Sequence, residues 1–276
     1  MEKFGFASNI NALAGKCASK TDDEAKSLSE EYRLDYPSVI GSLIYLLNTR
    51  PDITFAVTKL AKFMQRPGRQ HFRALIHLLQ YLRDNANFGI KFYRKIEDSP
   101  VYDLLVSAGE NEIPNLFGMH DSSWQDCPDT GQSTGSYIIF SQGGPVDFST
   151  YVPSPVAMSS AEAECNAGAV AGMAMSHIRM LFNELEGYEA DILRNDPLTM
   201  YCDSASAITI VNLDKDIKSL RHCKRRLLFM RQLRIEGEQQ FKHIRKEDML
   251  ADGGTKNLDA DSVQKLNDML LTEVNA

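Results

Sequence analysis

The sequence has no C-x-x-C pair, and its five cysteines (Cys17, Cys127, Cys165, Cys202 and Cys223) are scattered and odd in number. That spacing offers neither a zinc motif nor a disulfide framework, and it fits buried free thiols in a reducing compartment. Long apolar runs are missing too: none reaches the roughly 20 residues that a membrane-spanning helix needs. The first residues, with Glu2, Asn9 and Asn11 interspersed, lack the charged-then-apolar pattern of a signal peptide. Positive charge is not in excess. A formal net charge of −7 excludes a protein that grips nucleic acid by overall charge, although a local basic patch can still do so. We therefore expect a soluble, intracellular protein, cytoplasmic or nuclear. What is present suffices for a real core: 276 residues, 43% of them hydrophobic, accommodate one large or two ordinary domains.

The first 35 residues turn polar through Lys20-Thr21-Asp22-Asp23-Glu24-Ala25-Lys26 and read as a loop or linker. Residues 36–108 read mainly as a small helical subdomain. Ile40, Leu43, Ile44 and Leu47 share one helical face, Ile53, Val57, Leu60, Ala61 and Met64 a second, and Phe72, Leu75, Leu78, Leu79 and Leu82 a third. His71 and His77, six apart on the third helix, read as surface residues. Alternation over 88–93 and the apolar run at 101–106 predict short strands where the helical part gives way to a sheet. Strands follow at about 116–120, 136–141 and 145–151, the last two joined by Gln142-Gly143-Gly144 as a hairpin. A long helix rich in small residues then runs from Ser160 to about Glu186, a fourth strand ends at Asp203, and a helix follows it. A fifth strand covers 239–244, and an amphipathic helix carrying Val263, Leu266, Met269 and Leu270 comes last. Between the fourth and fifth strands lies a basic stretch. Its Lys218, Arg221, Lys224, Arg225 and Arg226 are the candidate phosphate-binding face.

This order gives a mixed α/β sheet flanked by helices, with acidic residues at its connections. Asp121 ends the first sheet strand, Glu162 stands at the start of the long helix, Asp203 ends the fourth strand and Asp252 precedes the last helix. Clustered carboxylates repel one another, and hard divalent cations with oxygen ligands relieve the repulsion. Two such ions about 4 Å apart are the arrangement used for in-line phosphoryl chemistry, which points to magnesium, with manganese as a substitute. Bland readings stand beside this one. Ser159-x-x-Glu162 also spells a capping box, and aspartates at strand ends often form turns. Glu164 lies roughly 200° round the helix from Glu162, so of the two it is the less expected ligand.

Gly41-Ser42-Leu43-Ile44-Tyr45-Leu46 and Thr49-Arg50-Pro51-Asp52-Ile53 resemble the segment after the polymerase palm in copia-type LTR retrotransposon polyproteins. Asp121-Ser122-Ser123-Trp124, Gln132-Ser133-Thr134-Gly135-Ser136-Tyr137 and Ser159-Ser160-Ala161-Glu162-Ala163-Glu164 resemble successive motifs of that family's ribonuclease H domain. So do Cys202-Asp203-Ser204-Ala205-Ser206-Ala207 and Leu250-Ala251-Asp252 with Thr255-Lys256. The resemblance implies a thumb- or connection-like segment over 36–108 and a ribonuclease H-like five-stranded mixed sheet over 109–276. It also implies that Asp121, Glu162, Asp203 and Asp252 hold two magnesium ions and cut the RNA strand of an RNA-DNA hybrid, leaving 5′-phosphate and 3′-hydroxyl ends. The implied partners are that hybrid and the polymerase part of a reverse transcriptase, in the cytoplasm within virus-like particles or in the nucleus.

Two departures temper the resemblance. No Y-x-D-D polymerase motif occurs, so copying of nucleic acid is not expected of this chain alone, and Gly253-Gly254 follow Asp252 where the family favours helix formers. The competing function is a catalytically inactive remnant that binds nucleic acid or a protein without cutting.

Overall fold

The computed structural model describes residues 15–154, 156–186, 197–213 and 224–274. The chain divides into two compact units. One comprises residues 1–91, 126–131 and 256–276, the other residues 92–125 and 132–255.

The first unit is helical. Helix α1 (Asp22–Tyr32) occupies much of the stretch expected to be a linker. The reason is local: Thr21 Oγ1 accepts from the Glu24 N–H at 3.2 Å, the Glu24 carboxylate accepts from the Lys20 N–H at 2.8 Å, and the acidic first turn suits the helix dipole. Ala25 and Leu28 then bury the inner face. Helices α2 (Tyr36–Leu46), α3 (Thr54–Ala61) and α4 (Arg69–Asp84) follow the predicted apolar faces. Tyr36, Ile40, Ile53, Val57, Leu60, Phe72, Leu75 and Leu78 form their shared core. His71 is a correction. It is fully buried, its Nδ1 accepts from the Gly68 N–H at 2.9 Å, and burial pushes its pKa down to about 4, so it is a neutral helix cap.

Strand β1 (Phe88–Ile90) forms where alternation predicts it. The expected strand over 101–106 is instead helix α5 (Pro100–Ser107), started by Ser99 Oγ accepting from the Tyr102 N–H and by Pro100 in the first turn.

In the second unit, strands β2 (Leu116–Ser123), β3 (Thr134–Ser141), β4 (Gly144–Tyr151), β5 (Leu198–Cys202) and β6 (Gln239–His243) form one sheet in the order β4-β3-β2-β5-β6. The first three strands are antiparallel neighbours, and β5 runs parallel to both β2 and β6. The β3–β4 hairpin turns on Gln142 and Gly143, both at positive φ, and a Cβ on Gly143 would lie 2.2 Å from Ser99 Oγ. Helix α6 (Ser160–Glu186) packs on the sheet through buried Ala163, Ala167 and Ala171. Helices α7 (Ala205–Asn212) and α8 (Lys224–Ile235) complete this layer, with Leu227 and Met230 of α8 in a core shared with Met175, Met200 and Phe241.

The last helix, α9 (Ala260–Leu270), belongs to the first unit: its Val263 enters the helical core, and strand β7 (Leu271–Glu273) pairs antiparallel with β1. Compactness therefore divides the chain near residue 91 rather than 108 and returns the C-terminal helix to the helical part. The physical reason is a buried network. Arg50 donates to Asp52 at 2.9 and 2.7 Å, Tyr81 Oη donates to Asp52 Oδ2 at 2.8 Å, and Asn267 Nδ2 donates to Tyr81 Oη at 2.9 Å. Removing one partner strands a buried charge. We expect Asp52→Ala to destabilise the helical unit by about 3–5 kcal/mol, while the double change Arg50→Met with Asp52→Leu loses far less. Denaturant-dependent hydrogen exchange at the Leu75 and Leu78 amides reads the difference.

Candidate metal centre

The β2–β5 register pairs Met119 with Tyr201 in parallel. Two residues further along each strand direction, Asp121 and Asp203 are brought side by side, since neighbouring strands lie about 4.8 Å apart. Asp252 reaches them from a short 3-10 turn, Leu250–Gly254. One carboxylate oxygen from each of Asp121, Asp203 and Asp252 lies within 4.8 Å of the other two. Asp121 is 1% exposed and accepts from the Thr255 hydroxyl, while His243 Nε2 lies 3.1 Å from the Asp203 carbonyl oxygen.

The Gly253-Gly254 pair has a packing reason. A Cβ on Gly254 would stand 2.0 Å from Ser136 Oγ and 2.6 Å from Thr150 Oγ1, and Thr150 Oγ1 donates to the Gly254 carbonyl at 2.9 Å. Glycine lets the turn that carries Asp252 lie directly on β3 and β4.

The helix carboxylate differs from the expected one. Glu162 Oε2 accepts from the Met158 N–H at 2.7 Å while the Glu162 N–H donates to Ser159 Oγ at 3.2 Å, so the carboxylate is engaged in the helix cap. Neither Glu162 nor Glu164 offers an oxygen within 4.8 Å of all three aspartates, but Glu164 is the one close enough to feel the charges of Asp121 and Asp203. Glu164 faces them instead. Its Oε1 accepts from the Ser122 N–H at 3.2 Å and from Ser122 Oγ at 3.0 Å, and its Oε2 accepts weakly from Cys202 Sγ at 3.7 Å. Burial, and then the negative charges of Asp121 and Asp203, push the Glu164 pKa up to about 8, against the pull of the Ser122 donors. A signal for this was present in the sequence. Glu164, Gly168 and Gly172 recur at intervals of four, one line of the small-residue face that packs closely, and a Cβ on Gly168 would meet His120 Nε2 at 3.0 Å. His120 is 1% exposed and held neutral, its pKa pushed down to about 4 by burial.

The donor set suits a hard divalent cation. Its ligands are carboxylate oxygens, and their charge adds to burial in raising Glu164.

The basic stretch separates into parts. Lys218 and Arg221 lie outside the described residues. Lys224 and Arg225 are exposed at the start of α8. Arg226 turns inward, donating to Asn166 Oδ1 at 2.7 Å and to the Ser154 carbonyl, and Arg231 is buried with a bond to the Ile210 carbonyl. Arg226 therefore ties α8 to α6 while remaining half-buried. Among the described residues, no helix is long and apolar enough to cross a membrane.

A mixed sheet in the order β4-β3-β2-β5-β6, backed by a long helix and bearing carboxylates beyond its two central strands, defines a ribonuclease H-like fold. No family model matches the chain. It is 30% identical over 230 residues to a retrovirus-related Pol polyprotein from transposon RE1 of Arabidopsis thaliana, covering 83% of this chain and 14% of that one. To the corresponding polyprotein from transposon TNT 1-94 of Nicotiana tabacum it is 28% identical over 199 residues, 72% of this chain and 13% of the other. A secreted RxLR effector protein 161 from Plasmopara viticola is 32% identical over 130 residues, 47% of this chain and 80% of the effector. Among solved structures, RNase H1 from Halobacterium salinarum NRC-1 superposes at a TM-score of 0.36 with 14% identity, covering 54% of this chain and 98% of that one. The chain belongs to the retrovirus-related Pol polyproteins of transposons, as a copia-type stretch. It spans about 14% of the length of the RE1 polyprotein.

Two outcomes are expected of this geometry. In metal-free buffer, folded Glu164 holds a proton that an unfolded glutamate has lost, so the contribution of Glu164 to the stability of the second unit is fully present below about pH 4.5 and is lost as pH rises through about 8. Glu164→Gln flattens that dependence in thermal melts, and Glu162→Gln leaves it in place while costing about 1 kcal/mol of helix-cap stability. Gly254→Ala is expected to shift the turn carrying Asp252 and weaken magnesium binding by about 10–100-fold in calorimetry, with the sheet intact.

Proposed function

We propose that the chain hydrolyses the RNA strand of RNA-DNA hybrids, as the ribonuclease H part of a retrotransposon reverse transcriptase. The observation that carries this reading is the convergence of Asp121, Asp203 and Asp252 at the ends of two parallel strands, with Glu164 against them. Two magnesium ions, or manganese in their place, supply at such a group the charge that activates water and stabilises the leaving oxygen. Asp121, the most buried of the three aspartates, is fixed by Thr255 and sets the position of the group. Asp203 and Asp252, half-buried, face the side from which a phosphodiester approaches. Glu164 replaces Glu162 in this assignment and completes the set of four carboxylates. Water attacks the phosphorus, the bond to the 3′ oxygen breaks, and the ends carry 5′-phosphate and 3′-hydroxyl. Lys224 and Arg225, exposed at the start of α8, are the described cations we assign to the substrate backbone, and a choice of RNA over DNA requires sensing of ribose 2′-hydroxyls.

Cleavage of a labelled RNA-DNA hybrid by the purified chain in magnesium tests the proposal. We expect cutting of the RNA strand alone, lost with EDTA and reduced at least about 100-fold by Asp203→Asn or Glu164→Gln, but not by Glu162→Gln. Hybrid binding without cutting, and without magnesium uptake in calorimetry, would leave a binding module in place of an enzyme.

A further inference from the structure

Next to the acidic group stands a second constellation of different chemical character. His120, Glu164 and Cys202 are all buried, and each offers one ligand atom within 4.8 Å of the others. None of the three stands near another in sequence, which is why cysteine spacing gives no hint of it. His120 is 1% exposed, and neither of its ring nitrogens has a hydrogen-bond partner. A polar group buried in that state forfeits its hydration with no return, and a metal bond is one of the few interactions that satisfies an imidazole in a dry site.

The distances suit a particular class of ion. Glu164 Oε2 lies 3.8 Å from His120 Nδ1 and 3.7 Å from Cys202 Sγ. Zinc holds nitrogen and oxygen at about 2.0–2.1 Å and thiolate sulfur at about 2.3 Å, so the edges of its tetrahedron measure about 3.3–3.6 Å. Closing these two edges to those lengths takes a few tenths of an ångström, and the third, between His120 and Cys202, lies within 4.8 Å. Imidazole and thiolate select zinc-like ions and are poor ligands for magnesium, so the two neighbouring centres differ in the metal they prefer.

We propose that His120, Glu164 and Cys202 form a buried site for a borderline-soft divalent metal of the zinc type, and that occupancy of this site withdraws Glu164 from the acidic group. Zinc displaces the Cys202 thiol proton to solvent and takes Glu164 Oε2 as its third protein ligand. Glu164 Oε1 stays on Ser122, so the carboxylate turns about that anchor and serves one centre at a time. The coupling rests on the assignment of Glu164 to the hydrolytic group made above. The binding itself does not.

Cobalt(II) titrated into the purified full-length chain, in magnesium buffer, provides a readout independent of activity. One equivalent is expected to give a thiolate-to-cobalt charge-transfer band that zinc abolishes by displacement. Cys202→Ser and His120→Phe should each lose the one-equivalent band, and Asp203→Asn should keep it. Zinc at one equivalent should then slow hybrid cleavage by about tenfold or more in the parent chain, and leave Cys202→Ser at its own zinc-free rate. Absence of the band, or its survival in both Cys202→Ser and His120→Phe, overturns the site. Should Cys202→Ser fail to give a native circular dichroism spectrum, His120→Phe decides in the same sense. A band without any hybrid cleavage sinks the hydrolytic reading and leaves the zinc site standing; a band with cleavage indifferent to zinc overturns the coupling.

Discussion

Repulsion between carboxylates held at the ends of β2 and β5 is the constraint on which the second unit turns. Parallel pairing brings Asp121 beside Asp203, and the turn at Asp252 adds a third charge within 4.8 Å. Left alone, such a group would push its members apart or take up protons, and the fold answers in the second way at Glu164. Donors pull the other way: the Thr255 hydroxyl donates to Asp121, and Ser122 donates twice to Glu164 and favours its ionised form.

Much of this was legible in the sequence, and the misses have physical causes. The sheet strands and the long helix were readable because period-two alternation and an unbroken run of small residues are strong signals; Asp121 and Asp203 were expected from strand ends and Asp252 from its place before the last helix. The choice of helix carboxylate was not legible because two glutamates lie two residues apart. Only the way the first turn closes, with Glu162 reaching back to Met158, shows which of them is left to face the sheet. The Lys20–Lys26 stretch was misread because polarity was weighed and capping was not, although Thr21-x-x-Glu24 is the same signature noticed at Ser159. Residues 101–106 looked like a strand because an apolar run of that length has no period of its own, and Ser99-Pro100 decided for helix. Arg226 could not be read as inward-facing, since its partners Asn166 and Ser154 lie 60 and 72 residues away.

The helical unit shows a motif that carries structure instead of chemistry. Thr49-Arg50-Pro51-Asp52 resembles a family signature, yet its charged pair is buried and linked through Tyr81 to Asn267. Such a pair contributes less to net stability than to uniqueness of packing, because its desolvation offsets most of its attraction. Its partners come from α4 and α9, and Val263 adds the same connection in apolar form.

That link joins positions 186 residues apart, with the whole sheet unit lying between them in the chain. During synthesis the sheet unit has all its strands before α9 emerges, whereas the helical core lacks Val263 and Asn267 until then. Within this stretch the helical core therefore has all its members only after the residues of the sheet unit, because Val263 and Asn267 follow them in the chain.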